Sequence, residues 1–197
     1  MTGMRLVVFS LLASAVFPSI SRAQQAPVFT ITQAGSSIAF NVKASVAIQG
    51  TFNQWDAALT FTSPDVTTGV LAVNIQAASV DTGSGFKDGK LKSDDFFAVD
   101  QNPLITFKST KIVQTGPATF EVEGNFTIRG VTKPEKLTLA VSGRGTGSGV
   151  ISGTMAFDRK DYGMNSGIPF IRIADRVEVT VSLQGNRVSG PPLVFKQ

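Results

Sequence analysis

The chain has 197 residues, 42% of them hydrophobic, with 18 Lys+Arg against 14 Asp+Glu and neither cysteine nor histidine. That apolar fraction suffices for one folded core, so a wholly disordered chain is excluded. Without His or Cys there is no Ser-His-Asp triad, Cys nucleophile, His base or disulfide, no haem held by either residue, and no zinc on imidazole or thiolate.

Residues 1–23 read as a cleaved signal peptide. Arg5 supplies the positive start, and Leu6–Phe17 is an apolar run of 12 residues, short of the roughly 20 that span a bilayer. Pro18 ends the run, and Ser21-Arg22-Ala23 places small residues two apart before the cut. Cleavage leaves residues 24–188 as one β-barrel domain and 189–197 as a tail containing Pro191, Pro192, Leu193, Val194 and Phe195, expected to dock on the domain surface. Loss of Arg5 and Arg22 lowers the formal charge from +4 to +2. No Lys/Arg cluster interleaves with aromatics, so nucleic acid is not an expected partner.

Beyond the signal the apolar residues recur with period two, the pattern of half-buried strands. Ile38, Phe40 and Val42 form the first stripe. Trp55, Ala57, Leu59 and Phe61 form the second, with Phe52 on the opposite parity, which predicts a bulge between Asn53 and Gln54. Leu71, Val73, Ile75 and Ala77 form the third. A long connection from Val80 to Pro103 follows, in which Ser84 and Ser93 are placed to cap short helices. Ile105 and Phe107 come next, then Phe120, Val122, Phe126 and Ile128, opposite Glu121, Glu123, Asn125 and Thr127. Leu137, Leu139 and Val141 follow. Gly143–Gly149 reads as hairpin punctuation, and its alternate glycines miss the dinucleotide-binding spacing. Ile151, Gly153, Met155 and Phe157, then Val177, Val179, Val181 and Leu183, complete eight strands.

Eight strands with one apolar face each close best into an antiparallel barrel, which removes both sheet edges; a two-sheet sandwich is the rival. With the stripes turned inward, the lumen holds Phe40, Trp55, Leu59, Phe61, Leu71, Val73, Ile75, Phe107, Val122, Phe126, Ile128, Leu139, Met155, Phe157 and Val179, none of them charged. Ala57, Ala77, Gly124 and Gly153 share those registers and leave room. A dry, partly unfilled tube suits a hydrocarbon chain, each CH₂ of which gains about 0.8 kcal/mol on leaving water. The same residues also make an ordinary packed core. The inverted arrangement, an outer-membrane barrel, lacks aromatic girdles, since the chain has one Trp and one Tyr.

Other motifs are weaker. Ser84-Gly85-Phe86-Lys87 matches Ser-x-x-Lys, but the companion elements of β-lactamases are missing. The carboxylate pairs Asp94/Asp95, Glu121/Glu123 and Asp158/Asp161 read as structural, so no catalytic residue, metal ligand or cofactor is expected. Asp158–Gly163 either orders the rim as a salt-bridged turn or holds a polar head group.

Several segments, in this order and spacing, together resemble the YceI family. They are Ser37–Lys43, Gly50-Thr51-Phe52, Ala78–Gly83, Lys87–Phe97, Pro103–Thr110, Gly130–Pro134, Arg159–Met164 and Ile173–Val177, and the likeness covers residues 28–185. The resemblance implies an all-β, extended, lipocalin-like eight-stranded barrel with a short helical insertion between strands 3 and 4. It implies a periplasmic, non-enzymatic protein holding an isoprenoid, such as a quinone or polyprenyl phosphate, or another long-chain amphiphilic lipid. Transient membrane contact and a homodimer stay open as further partners. Lys90, Arg159, Asp161, Tyr162 and Arg172 are the rim residues that suit a head group. Two positions that are His in many members are Ala44 and Lys90 here, so no histidine role transfers. A filled-core stress-response module and a lipid-modifying enzyme using Asp158 and Asp161 are the alternatives.

Overall fold

The computed structural model describes residues 25–168 and 170–196; the signal assigned to residues 1–23 lies outside them. The strands are β1 (Val28–Ala44), β2 (Ile48–Phe52), β3 (Trp55–Thr60), β4 (Val70–Gln76), β5 (Val80–Asp81), β6 (Leu104–Gln114), β7 (Thr119–Ile128), β8 (Val131–Val141), β9 (Ser148–Asp158) and β10 (Ile173–Ser189), with one helix, α1 (Gly85–Lys92), after β5. All pair antiparallel in one sheet of order β3-β4-β6-β7-β8-β9-β10-β1-β2-β5.

Ten strands, not eight, arise because two long paths are interrupted. β2 runs into β3 through Asn53-Gln54, the position at which Phe52 changes parity. β4 runs into β5 through a 3-10 turn at Ala77–Ser79. Backbone bonds from Asn53 N–H to Ser79 O (3.1 Å) and Gln76 N–H to Gln54 O (2.9 Å) hold the interruptions side by side. Counted by path, the chain makes eight passes. Because β2 is hydrogen-bonded to β1 and continues into β3, the sheet curls round into a barrel.

Closure is uneven. The first half of β1 lies against β3 with no ladder between them. The Gln33 side-chain amide donates to Trp55 O across this seam, and the Phe29 and Phe61 rings sit 5.7 Å apart. β8 and β9 share a ladder only where Thr138–Val141 meets Ile151–Thr154. Where they separate, Tyr162 fills the space, fully buried against Phe126 and Phe157 at 5.5 and 5.2 Å.

Inward positions follow the alternation: Leu71, Val73 and Ile75 on β4, Phe120, Val122, Phe126 and Ile128 on β7, and Ile151, Met155 and Phe157 on β9 are buried. The outer face is polar, with Lys136 set between Glu121 (2.8 Å) and Glu123 (3.8 Å). On β6 a bulge between Ser109 and Lys111 resets the parity, so that Ile112 turns inward. Buried Ser109 accepts a bond from Leu71 N–H at 2.9 Å beyond the end of the β4–β6 ladder.

The glycines do not leave the room that their registers suggest. A Cβ on Gly124 meets Phe107 Cζ at 2.5 Å and the Lys108 carbonyl at 2.8 Å; one on Gly153 meets Leu139 Cδ2 at 2.4 Å and Val181 Cγ2 at 2.9 Å. Side chains from adjacent strands fill these positions. Gly124→Ala is therefore expected to destabilise the fold by about 1–3 kcal/mol, because a backbone carbonyl cannot rotate aside. Gly153→Ala should cost less, since the Leu139 tip can move. Denaturant midpoints of the two variants at unchanged m-value check the ranking.

Candidate functional site

The lumen contains two apolar cavities, one toward each end of the barrel. The first, about 930 Å³ counted out to its open mouth, is lined by Phe29, Leu59, Phe61, Leu71, Ile112, Phe120, Leu139 and Ile151. Residues 142–145 and 147–149 of the β8–β9 hairpin and the tail residues Pro192, Leu193 and Phe195 also line it. The second, about 720 Å³ on the same count, is lined by Phe40, Phe52, Ile75, Leu91, Phe96, Phe97, Ile105, Phe126, Ile128, Phe157, Met164, Ile168 and Val179 among others, with Arg159 its one charged residue.

Of the expected lumen residues, Leu59, Phe61, Leu71 and Leu139 line the first cavity, and Phe40, Ile75, Phe126, Ile128, Phe157 and Val179 the second. Trp55, Val73, Phe107, Val122 and Met155 line neither. They belong to the same core and form a waist between the two. Along β4 the inward residues run Leu71, Val73, Ile75, so the waist there is one side chain thick. The picture of one unbroken tube is thus corrected to two chambers, because Phe107 covers Gly124 and Leu139 covers Gly153.

α1, the turn after it and the segment before β10 roof the second cavity. Ser84 stands at the helix N-cap but makes no side-chain cap bond. Asp88 instead turns back to accept from Thr82 N–H (2.9 Å) and Oγ1 (2.6 Å). No second helix forms at Asp94–Phe97. Phe97 N–H bonds Leu91 O, and Ala98, at φ 49, reverses the chain so that Phe96 and Phe97 point into the lumen. These two aromatics lie in the family motif yet outside any period-two stripe, which is why alternation alone misses them.

The five rim residues have different fates. Lys90 pairs with Asp95, whose second oxygen accepts from Ser166 Oγ at 2.8 Å, so one carboxylate ties α1 to the segment before β10. Arg159 is buried and donates to Met164 O, Ser166 O (2.9 Å), Ala174 O (3.2 Å) and Asp175 Oδ1 (3.1 Å). Asp161 faces solvent and pairs with Lys133 at 3.2 Å. The Tyr162 hydroxyl donates to Glu135 Oε1 at 2.8 Å, away from the lumen, and burial together with that carboxylate pushes its ionisation far above the ordinary phenol range. Arg172 is exposed, and its backbone exchanges bonds with Ser45 (3.0 and 3.1 Å), fastening the segment to the β1–β2 turn.

The hydrogen bonds from Lys90 and Ser166, with the Lys90 charge and a smaller effect from Arg129, hold the Asp95 carboxyl below the usual carboxylate range. A depressed folded value stabilises the tie at every pH above the unfolded carboxylate value, about 3.9, and the tie is lost as pH falls through the folded value. Release of a bound probe through this end should then be flat from pH 8 to 5 and rise only below about 4. Asp95→Asn should release it fast across the whole range. Stopped-flow dye release against pH checks both.

Comparison with known proteins agrees with this architecture. The family model of the YceI-like domain matches residues 29–185. A UPF0312 protein of Azotobacter vinelandii is 30% identical over 146 residues, covering 71% of this chain and 74% of that protein, and one from Serratia proteamaculans is 32% identical over 145 residues, with 71% and 74% covered. Among solved structures, BcnA of Burkholderia cenocepacia superposes with TM-score 0.71 at 23% identity, covering 78% of this chain and 98% of that one. A polyisoprenoid binding domain from Saccharophagus degradans, implicated in plant cell wall breakdown, gives TM-score 0.65 at 14% identity, covering 82% and 99%.

Proposed function

The chain belongs to the YceI-like domain family, and from that premise we propose that it is an exported carrier holding an isoprenoid, a quinone or polyprenyl phosphate, or a similar long-chain amphiphile. The carrying observation is a barrel whose interior holds two largely apolar cavities, the one under α1 with Arg159 as its one charged lining residue and the other with Arg144 and Arg187 in its lining. Burial of the tail supplies affinity at about 0.8 kcal/mol per CH₂, less the cost of ordering the chain. Carriage is favoured over catalysis by the carboxylates: Asp158 accepts from Lys160 N–H at 2.8 Å, Asp161 pairs with Lys133, and neither lines a cavity. The waist favours a tail seated in one chamber, with its head at that chamber's rim.

Native mass spectrometry of the protein purified gently from its own host tests the reading. The expected result is a retained lipid of isoprenoid mass. Repeated absence of any lipid, with no uptake of added ubiquinone or undecaprenyl phosphate, overturns it. The same spectra locate the expected processing site: the exported protein should begin at Gln24, and a mass that retains residues 1–23 removes the case for a periplasmic carrier.

A further inference from the structure

Three large apolar side chains stand out in solvent around the roof of the second cavity. Phe86 on α1 is 73% exposed, Val46 in the β1–β2 turn 50%, and Phe170 fully. Phe170 is held out at φ 64, a backbone conformation that a bulky residue rarely adopts and that persists where the surroundings enforce it. Hydrogen bonds place the three together at one end: Lys87, next to Phe86, donates to Ala47 O at 2.9 Å, and Arg172, two residues after Phe170, is bonded to Ser45. Among the described residues, the opposite end exposes only valines as large apolar side chains, Val28, Val113, Val188 and Val194.

The flanking charge selects an occupant. Lys43, Lys87 and Arg172 surround this patch, and among the described residues none of them enters an ion pair. The acid nearest on the helix, Asp88, is turned inward onto Thr82. Aromatic side chains ringed by unpaired cations match the boundary of an anionic bilayer, where rings enter the headgroup layer and cations meet phosphates. We propose that this end is a membrane-docking face, by which the barrel settles on an anionic lipid surface with the mouth of the second cavity toward the bilayer that supplies its ligand. The inference rests on the carrier reading for its purpose.

Flotation of the exported protein with phosphatidylglycerol-containing vesicles, against phosphatidylcholine alone, tests it. Binding should appear on the anionic vesicles and weaken with salt. F86S/F170S should partition about tenfold or more weaker, and K43Q/R172Q should lose the preference for anionic lipid. Phe86 and Phe170 face water, so F86S/F170S keeps its fold, and its uptake of a short-chain, water-soluble ubiquinone added without vesicles should stay at the wild-type level. Wild-type protein that fails to float, or F86S/F170S that floats as well as wild type, overturns the proposal even where quinone uptake persists. So does a dimer, seen by sedimentation, that F86S/F170S abolishes while no vesicles bind. Flotation with no quinone uptake in any format leaves docking in place and removes the carrier reading instead.

Discussion

Arg159→Met is expected to destabilise the protein by about 3–5 kcal/mol and to empty the second cavity of ligand. The side chain is 7% exposed, and its guanidinium gathers three backbone carbonyls, those of Met164, Ser166 and Ala174, besides Asp175. Methionine fills much of the volume but donates nothing, so three acceptors lose their donor at about 1–3 kcal/mol each, with water reaching some of them. Asp175 is not stranded, because Lys160 holds it at 2.8 Å. That bond, more than Arg159, keeps its carboxyl below the ordinary range. For a domain of this size the melting temperature should fall by roughly 6–20 °C. Met164 and Ile168 line the cavity from the segment that Arg159 holds, so ligand should be lost at temperatures where the variant is still folded. Arg159→Lys should recover only part, since an ammonium cannot reproduce the planar fork. Calorimetry and native mass spectrometry read the two effects separately. A loss under about 1 kcal/mol means that the segment is held by its own backbone bonds and not by the guanidinium.

How far the sequence discloses the fold depends on whether a residue's role is local. Alternation is local, so Phe120, Val122, Phe126 and Ile128 declare their strand and its inner face, and Phe52 declares the interruption before Trp55 by breaking parity. The helical insertion is visible from its place between the third and fourth strands, although Ser84 does not cap it with its side chain. Roles set by neighbours across the sheet are not visible. Nothing near Gly124 states that Phe107 occupies its space, so one tube was expected where two chambers stand. Among Asp158, Arg159, Lys160 and Asp161 no local feature marks the one that is buried; only the return of residues 164–175 across it does. Tyr162 is assigned to the rim by its hydroxyl, yet the gap between β8 and β9, a consequence of their short shared ladder, draws its ring into the core.

The tail shows the same dependence and gives the second large effect. Residues 192–196 close the first cavity: Leu193 and Phe195 pack on the core, with Phe195 6.2 Å from Phe120 and the Arg144 guanidinium 5.4 Å from its ring. Val194 exchanges backbone bonds with Pro64 (2.8 Å) and Val66 (3.2 Å), and Gln114 brackets Lys196 at 2.8 and 2.7 Å. Two half-buried side chains contribute about 2–4 kcal/mol, but ordering the segment costs about 1–2 kcal/mol per residue. The net hold is weak, and the tail opens far more readily than any strand. Ending the chain at Pro191 should therefore lower stability only modestly while raising the release rate of a lumen-bound dye about tenfold or more, since about 1.4 kcal/mol suffices for that factor. Phe195→Ser keeps the backbone bonds and removes the ring. If the ring is the plug, it should reproduce most of the faster release with almost none of the stability loss; if release stays slow in Phe195→Ser but rises on truncation, the backbone strap to Pro64 and Val66 closes the barrel instead. Should neither variant change release, exchange runs through the α1 end alone, and the tie of Asp95 to Lys90 and Ser166 is then the whole of the gating.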